Sequence, residues 1–428
     1  MATFSTQEVF TARKIALQKR NKIIQDFVDS ALITLSLVAI ILDPLFGKYS
    51  AAIFLIFGLA LLATDIKKSI HDLLSNWFIL LFPIFCLASI SWSIFPQDTF
   101  RHAIQLILTF VIAILIALRI KPSLLFNVLL STYIITLIIC LVFGRNLPDR
   151  PWQGIFASKN QFADMISILM ILSLSAMMFK HNNRIYNVIA FFVFLLCFPL
   201  FIKSQSAGAF MALLPTIGFG VYIMLIQGVN IQARWLITIF TAVLSALIGV
   251  IIVMNFDYIQ NAVLTFLGKD PTLTGRTELW DYGIGLIKEK PVLGLGFQAF
   301  WVKGNPPAEY FWQKFLIGSR TGFHFHNMYI SNAVEIGILG VLYQSFLLYT
   351  GFFISLKNAI TKPDRITLFF AVILFFYIIR SMVEVPLFIQ FSMSSIISII
   401  AITYAFKPSI KAAMSGYRYY ANNRVKSA

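Results

Sequence analysis

Apolar runs of about 20 residues recur along this chain, and they constrain its fold more than any other feature. A helix of about 20 residues spans the hydrocarbon core of a bilayer. The composition agrees, because 59% of the 428 residues are hydrophobic and 12% are charged, whereas soluble domains carry roughly 25% charged residues. A membrane β-barrel would show short alternating segments instead. The sequence therefore predicts an all-α polytopic membrane protein.

The apolar segments predict about 12 transmembrane helices, and the break between the last two rests on the stretch from Arg380 to Pro386. No internal repeat divides the chain. We expect an N-terminal tail at 1–29, nine helices in 30–255, a large loop at 256–326, three helices in 327–406 and a basic tail at 407–428. The segments are 30–46, 50–65, 73–94, 102–119, 123–143, 162–179, 185–202, 208–227, 235–255, 327–354, 366–383 and 387–406.

A net charge of +16 is compatible with nucleic-acid binding or with the positive-inside rule of membrane proteins. The basic residues gather in both tails and in alternate loops, as the positive-inside rule predicts. We therefore expect both termini in the cytoplasm, basic tails that contact anionic membrane lipids, and no nucleic-acid partner. Cysteines 86, 140 and 197 lie inside apolar runs and indicate no disulfide framework or zinc site.

The loop at 256–326 falls on the outer face of this topology and is too long for a simple connection. It is rich in aromatic residues, which disordered segments lack. We expect it to fold and to contain short helices.

One stretch of this loop, LTGRTELWDYGIGLIKEK at 273–290, has a helical pattern. Its apolar residues recur at a helical period from Thr277 to Lys290, with Thr274 as a candidate N-cap. Arg276 would then lie at a helix N-terminus, where free N–H groups favour an anion and a guanidinium offers a bidentate fork for phosphate. The alternative is an interfacial amphipathic helix whose arginine is only solvated.

The loop ends in a pair of histidines. His324 and His326 are two residues apart and would not share a helix face, so we expect no metal site. His326 enters the next helix at the membrane surface, where a histidine can act as a general base. The alternative is a buried histidine with one satisfied hydrogen bond. Glu335 lies inside the following apolar segment, and because a carboxylate there needs a partner we expect a buried structural pairing.

Six motifs, taken together and in this order, resemble the O-antigen ligase and polysaccharide polymerase superfamily, which includes exopolysaccharide production proteins. The resemblance covers about residues 75 to 345. The motifs are SISWSIFPQDTF (89–100), GIFASKNQFADM (154–165), SQSAGAF (204–210), LTGRTELW (273–280), PVLGLGFQAFW (291–301) and HNMYISNAVEIGILG (326–340).

The resemblance implies an integral membrane glycosyltransferase with a GT-C-like fold, acting at the periplasmic face of the bacterial inner membrane. Its donor would be a glycan on undecaprenyl pyrophosphate. The acceptor would be lipid A core for a ligase, or the next lipid-linked repeat for a polymerase. The resemblance further implies inversion at the anomeric carbon, with no metal, nucleotide sugar or other cofactor.

The resemblance also assigns roles to residues. His326 would be the base that activates the acceptor hydroxyl, and Arg276 would hold the departing pyrophosphate. Stabilisation of the negative charge that builds on a leaving group is usually the largest contribution to catalysis. Asn327, which follows His326 in the motif, is a candidate for binding substrate.

The chain departs from the family at one position. Ligases often have QSRGA where this chain has QSAGA, so that Ala207 stands in place of an arginine. Lys203, Arg150 and Lys159 are the candidates for supplying the second positive charge. This departure favours a polymerase slightly over a ligase proper. A flippase or transporter is the further alternative, although transporters are often built from two similar halves, which this sequence does not show.

Overall fold

The computed structural model describes residues 6–144, 151–177, 184–255 and 275–407. Within these ranges the chain forms α-helices joined by turns and short 3-10 helices, with no β-strand. The prediction of an all-α membrane protein is therefore confirmed.

The helices run in the following order and are numbered along the described chain. They are α1 (Thr6–Ile41), α2 (Asp43–Phe46), α3 (Ser50–Thr64), α4 (Ile66–Ser75), α5 (Trp77–Ala88), α6 (Pro96–Arg119), α7 (Pro122–Phe143), α8 (Lys159–Met177), α9 (Arg184–Lys203), α10 (Ala207–Ile226), α11 (Ile231–Met254), α12 (Arg276–Glu289), α13 (Pro306–Lys314), α14 (Met328–Thr361), α15 (Arg365–Arg380) and α16 (Met393–Phe406).

Nine helices in the described ranges are long and apolar enough to cross a bilayer, or ten if α4 and α5, which are bent by 85°, form one broken span. The sequence predicts about 12 spans, and the difference lies partly in the last two. Helices α15 and α16 have 16 and 14 residues, which is shorter than a typical spanning helix. The predicted break between them is present, because α15 ends at Arg380 and α16 begins at Met393.

Helix α8 is the most buried of the candidate spans, with 78% of its most apolar window inside the protein, whereas α11 has none of its window buried. A helix that is apolar all round and buried belongs to the interior of a bundle. The first turns of α8 therefore project polar residues, including Asn160 and Asp164, from the centre of the bundle toward one end.

The PVLGLGF stretch packs against a break in α14. Gly337 interrupts that helix with a φ of 64°, and the backbone N–H of Ile338 donates to the Pro291 carbonyl at 2.9 Å. The Gly296 N–H donates to the Glu335 carbonyl at 2.8 Å. Two glycine-containing motifs that are far apart in sequence are thus joined backbone to backbone.

Glu335 has the structural role that the sequence predicts. It is buried, and its Oε2 accepts the backbone N–H of Gln298 at 3.0 Å. The carboxylate therefore holds the turn after PVLGLGF against α14, and its partner is a backbone amide.

The motif at 89–100 packs against the same stretch from the other side. The Trp92 indole N–H donates to the Leu293 carbonyl at 2.9 Å, and the Thr99 hydroxyl donates to the Phe297 carbonyl at 2.9 Å. Three of the six motifs are therefore one structural unit.

The segment 275–327 folds around its own aromatic cluster, which joins α12 and α13 to the start of α14. It contains two short helices, and the sequence predicts short helices for the loop at 256–326. The earlier part of that loop, 256–274, lies outside the described residues. The buried members of the cluster include Leu279, Phe300, Phe311, Trp312 and Phe325.

Gly337→Ala is predicted to lower the thermal unfolding midpoint of the purified protein in detergent. A Cβ at this position would lie 2.1 Å from the Val292 carbonyl oxygen, and the positive φ alone costs about 1–3 kcal/mol for a residue with a side chain. Gly285→Ala is the matched control, because a Cβ there meets nothing within 4 Å and alanine favours a helix. Equal midpoints for the two variants would contradict this account of the break in α14.

Candidate active site

Glu384 lies in the connection between α15 and α16 and is the centre of a cluster of polar side chains. Its Oε2 is 3.2 Å from His326 Nδ1 and 3.3 Å from His324 Nε2. Its Oε1 accepts a hydrogen bond from Asn160 Nδ2 at 3.0 Å and lies 3.6 Å from Arg276 Nη2. The carboxylate is 9% exposed. The structure thus brings the two predicted catalytic residues, Arg276 and His326, onto one buried carboxylate.

Helix α12 positions Arg276 as its first residue. Trp280 lies one turn later on the same helix, and its indole N–H donates to the Phe325 carbonyl at 2.7 Å. This bond holds the beginning of α12 next to His326. The residue before the helix is Gly275, with a φ of 83°, and the predicted cap Thr274 lies outside the described residues.

His326 precedes α14 in a left-handed conformation, with a φ of 52°. Its backbone N–H donates to Nδ1 of His324 at 3.0 Å, and the two ring centroids are 4.4 Å apart. The expectation that a spacing of two would keep these rings apart is wrong, because it assumes a helix and this segment is not helical.

The hydrogen bonds fix the tautomers of both histidines. Because Nδ1 of His324 accepts a backbone N–H, its Nε2 carries the hydrogen that points to Glu384. Burial and the neighbouring His326 lower the pKa of His324 to about 4, so this ring is neutral near pH 7. Nδ1 of His326 faces Glu384, which leaves Nε2 of His326 free to accept a proton. Carboxylate, imidazole and substrate hydroxyl are ordered in this way in hydrolytic triads.

Glu384 is ionised in this arrangement. Burial alone would raise the pKa of its carboxyl group, but the hydrogen bond from His326, the two neighbouring histidines and the charge of Arg380 lower it to about 2. A carboxylate that accepts several hydrogen bonds is stabilised in its charged form.

Two further motifs meet at Glu384 through Asn160. While the Asn160 amide donates to Glu384, its Oδ1 accepts the Ser206 hydroxyl at 2.9 Å. Stretches 154–165 and 204–210 are therefore connected at the site by one side chain.

The predicted substrate-binding residues occupy different places. Lys159 is exposed, with its Nζ 3.4 Å from the Gln205 carbonyl. Lys203 is an exposed residue at the end of α9, and Arg150 lies outside the described residues. Asn327 caps α14 and donates to the Met382 carbonyl at 3.1 Å, which holds the Glu384 connection against α14. Binding of substrate by these four residues stays a prediction.

Arg380 is a functional candidate that the motifs do not reveal. It is 1% exposed, and its Nε lies 3.0 Å from Asp164 Oδ1. Its Nη1 packs against Gly208, where an added Cβ would come within 2.7 Å of it. Among the described residues, Nη1 and Nη2 have no hydrogen-bond partner. An arginine from α15 thus lies beside SQSAGAF, next to the position where Ala207 replaces the family arginine.

Sequence reasoning missed Glu384 and the role of Arg380 because neither belongs to a recognised motif. The available signal was an acidic residue four positions after an arginine, in the short polar break between two apolar segments. Intramembrane and near-membrane charges of this kind are costly and call for partners.

His324, His326 and Glu384 present atoms within 4.8 Å of one another and could geometrically hold a metal ion. Arg276 and Arg380 contribute positive charge at the same place, since both act electrostatically on His324. A cation would have to compete with the Arg276 and Asn160 contacts of the same carboxylate. The donor set therefore fits hydrogen-bonded histidines better than a metal centre.

Comparison with known proteins agrees with this geometry. A family model described as O-Antigen ligase matches residues 190–343, a range that contains Arg276 and His326. The chain is also 32% identical over 372 residues to the exopolysaccharide production protein ExoQ of Rhizobium meliloti, covering 85% of this chain and 84% of that protein.

The chain belongs to the O-antigen ligase family. Its membership and its apolar helices make it a multi-pass membrane protein of a family whose members are ligase- or glycosyltransferase-like enzymes of exopolysaccharide and O-antigen production. The family model ends before Arg380 and Glu384. Their assignment to the site therefore rests on the structure alone.

Acid is predicted to destabilise the protein in two steps. The folded-state pKa of His324 is about 4 against an ordinary 6.5, so the unfolded chain binds more protons as the pH falls from 6.5 to 4 and stability is lost. The folded-state pKa of Glu384 is about 2 against an ordinary 4.5, so its contribution to stability is lost as the pH falls from 4.5 to 2.

The first step is tested by measuring the thermal unfolding midpoint at pH values from 7 to 5. The variants compared are His324→Gln and, as the control, His71→Gln. Glutamine can still donate to Glu384 but cannot titrate, so it should flatten the pH dependence. His71, exposed on α4, should leave it unchanged. A wild-type slope in the His324 variant would contradict the assignment.

Proposed function

We propose that this protein is a glycosyltransferase that transfers a glycan from undecaprenyl pyrophosphate to an acceptor glycan at the periplasmic face of the inner membrane. The observation that carries the proposal is the convergence of Arg276 and His326 on Glu384. The proposed phosphate-binding group and the proposed base are therefore neighbours in one cluster at the ends of the helices.

In the proposed reaction, Nε2 of His326 takes the proton of an acceptor hydroxyl. The hydroxyl oxygen then bonds to the anomeric carbon of the donor, and the bond from that carbon to the pyrophosphate oxygen breaks. The proton ends on His326 and the electron pair on undecaprenyl pyrophosphate. Glu384 stabilises the imidazolium that forms, and a single displacement inverts the anomeric centre.

Arg276 and Arg380 are proposed to hold the diphosphate. Arg276 begins α12, so its guanidinium and the free N–H groups of the helix end act together on an anion. The Nη1 and Nη2 groups of Arg380 are buried and have no hydrogen-bond partner among the described residues, and leaving such groups unpaired is costly. Diphosphate oxygens would satisfy them, and two arginines would replace the metal ion that often stabilises a leaving phosphate.

The path of α1 supports the proposed location at the periplasmic face. Past the middle of α1, Asp29 pairs with Arg119 at 3.2 Å, at the end of α6 opposite to the site. Just beyond its last residue, Asp43 lines a cavity with Asp164. With a cytoplasmic N-terminus, as the positive-inside rule predicts, the Glu384 cluster faces the periplasm.

The assay that tests the proposal is reconstitution of the full chain in proteoliposomes with a lipid-linked repeat, with and without lipid A core. We expect longer lipid-linked chains, the product of a polymerase, because the chain lacks the ligase arginine at Ala207 and resembles an exopolysaccharide production protein. Glycan found only on the core would identify a ligase, and transbilayer movement without a new glycosidic bond would identify a flippase. EDTA should leave the rate unchanged, and loss of activity restored by a divalent cation would contradict metal independence.

His326→Ala is predicted to lower the transfer rate by about 10²–10⁴-fold, the usual contribution of a general base, while the protein still inserts and accumulates. His71→Ala is the control, since that residue is exposed on α4 and should leave the rate unchanged. Full activity of the His326 variant would remove this residue from the mechanism.

Arg276→Lys is predicted to lower the rate by roughly 10²-fold, the order of loss seen when one transition-state donor is removed. Lysine keeps the charge but cannot form a bidentate fork with phosphate. Arg101→Lys changes an arginine that is 61% exposed and serves as the matched control. If lysine works as well as arginine at 276, the residue supplies only general charge.

A further inference from the structure

A cavity of about 280 Å³ lies beside the Glu384 cluster. It is lined by the end of α1 and start of α2, by α7, by the first turns of α8, by the end of α15 and by the beginning of α16 with the segment before it. Arg276, His326 and Glu384 do not line it. Small-molecule sites begin at roughly 300 Å³, so this cavity is of the size that a short saccharide unit requires.

The lining of the cavity suits an uncharged, hydroxyl-rich ligand. Among the described residues no lysine or arginine lines it, so it offers no positive charge for a phosphate group. The rings of Phe156 and Phe391 provide apolar faces for the C–H surfaces of a sugar. Its polar groups are those of Asp43, Tyr133, Gln161, Asp164, Tyr377, Ser392 and Ser394.

Asp164 is one of two carboxylates in the described lining, the other being Asp43 at the start of α2, and Asp164 is held in place. Its Oδ1 is bonded to Nε of Arg380 at 3.0 Å. The Asp164 side chain is 32% exposed, whereas Arg380 is 1% exposed. The carboxylate is therefore anchored on a buried arginine and turns its remaining surface to the cavity. Hydrogen bonds from hydroxyl groups to an ionised carboxylate are short and strong.

Two chain segments, the first turn of α8 and the end of α15, join the lining of the cavity to the Glu384 cluster. Asn160, which donates to Glu384, and Asp164 lie one turn apart on α8, a separation of about 5–6 Å between side chains. The backbone N–H of Glu384 donates to the Arg380 carbonyl at 3.0 Å. A sugar bound at Asp164 would thus lie about one helical turn from Asn160, which contacts Glu384, the partner of the proposed base.

We propose that this cavity is a saccharide subsite, in which Asp164 and Gln161 bind the hydroxyl groups of a sugar residue. The proposal rests on the proposed function for the identity of the glycan. The sugar belongs either to the acceptor or to the donor glycan, because both present the same chemistry, and the kinetic test distinguishes the two.

The kinetic test uses the reconstituted full chain with Gln161→Ala and Asp164→Asn, and with Gln313→Ala and Asp281→Asn as controls on exposed residues of the 275–327 segment. In Gln161→Ala, loss of a hydrogen bond to the sugar should raise one KM about tenfold and change kcat little. Asp164→Asn also removes the ionic partner of Arg380 and should lower kcat as well, so Gln161→Ala makes the assignment. A rise in the acceptor KM assigns the subsite to the acceptor, and a rise in the donor KM assigns it to the donor glycan. Wild-type KM values for both substrates in Gln161→Ala, or an equal rise in the controls, would overturn the proposal.

A binding test separates this inference from the proposed function. Saturation-transfer NMR on the protein in nanodiscs, with glucose, galactose, mannose, cellobiose, maltose and lactose as probes, needs no turnover. We expect a saccharide signal that Gln161→Ala and Asp164→Asn lose and the controls keep. If the wild type transfers no glycan, the proposed function fails and this signal alone decides the subsite. Absence of the signal in the wild type, or its persistence in both variants, would then overturn the subsite.

Discussion

The buried carboxylate of Glu384 is the interaction on which the site depends. It receives His324 and His326 on one oxygen and Asn160 and Arg276 on the other. These partners come from α8, from the beginning of α12 and from the segment before α14. A buried charge is stable only when it is paired and hydrogen-bonded. Removing the carboxylate would leave the partly buried Arg276 without its partner and two histidines without a common acceptor.

Arginine and carboxylate alternate across this end of the protein. Arg276 pairs with Glu384, and Arg380 pairs with Asp164. Arg380 also supports the Glu384 connection through its backbone carbonyl. The pair of Arg276 and Glu384 lies with the two histidines. Asp164 of the other pair lines a cavity to which no described lysine or arginine contributes. In the proposed function, this division would give the phosphate and the sugar of a lipid-linked glycan different places, since a phosphate requires positive charge and a sugar requires hydrogen-bonding groups of both kinds.

The sequence predicts the parts of this arrangement that depend on local pattern. Apolar runs predict the helices, the period of 277–290 predicts α12, and the motifs single out Arg276 and His326. The partner of His326 could not be predicted, because Glu384 is 58 residues away and no local pattern links them. The meeting of His324 and His326 was missed because a helix-spacing rule was applied to a non-helical segment. Arg380 lies beside the position where Ala207 stands in place of the family arginine, and only the packing of α15 on Gly208 reveals it.

The central claim is that Arg276 and His326 act on the two sides of one bond, between the anomeric carbon and the diphosphate. The most direct measurement is a structure of the protein in a lipid nanodisc with undecaprenyl pyrophosphate bound. The account predicts diphosphate oxygens within hydrogen-bond distance of the Arg276 and Arg380 guanidinium groups, with Nε2 of His326 facing the space beside them. A diphosphate bound elsewhere, with the Glu384 cluster closed to it, would contradict the account.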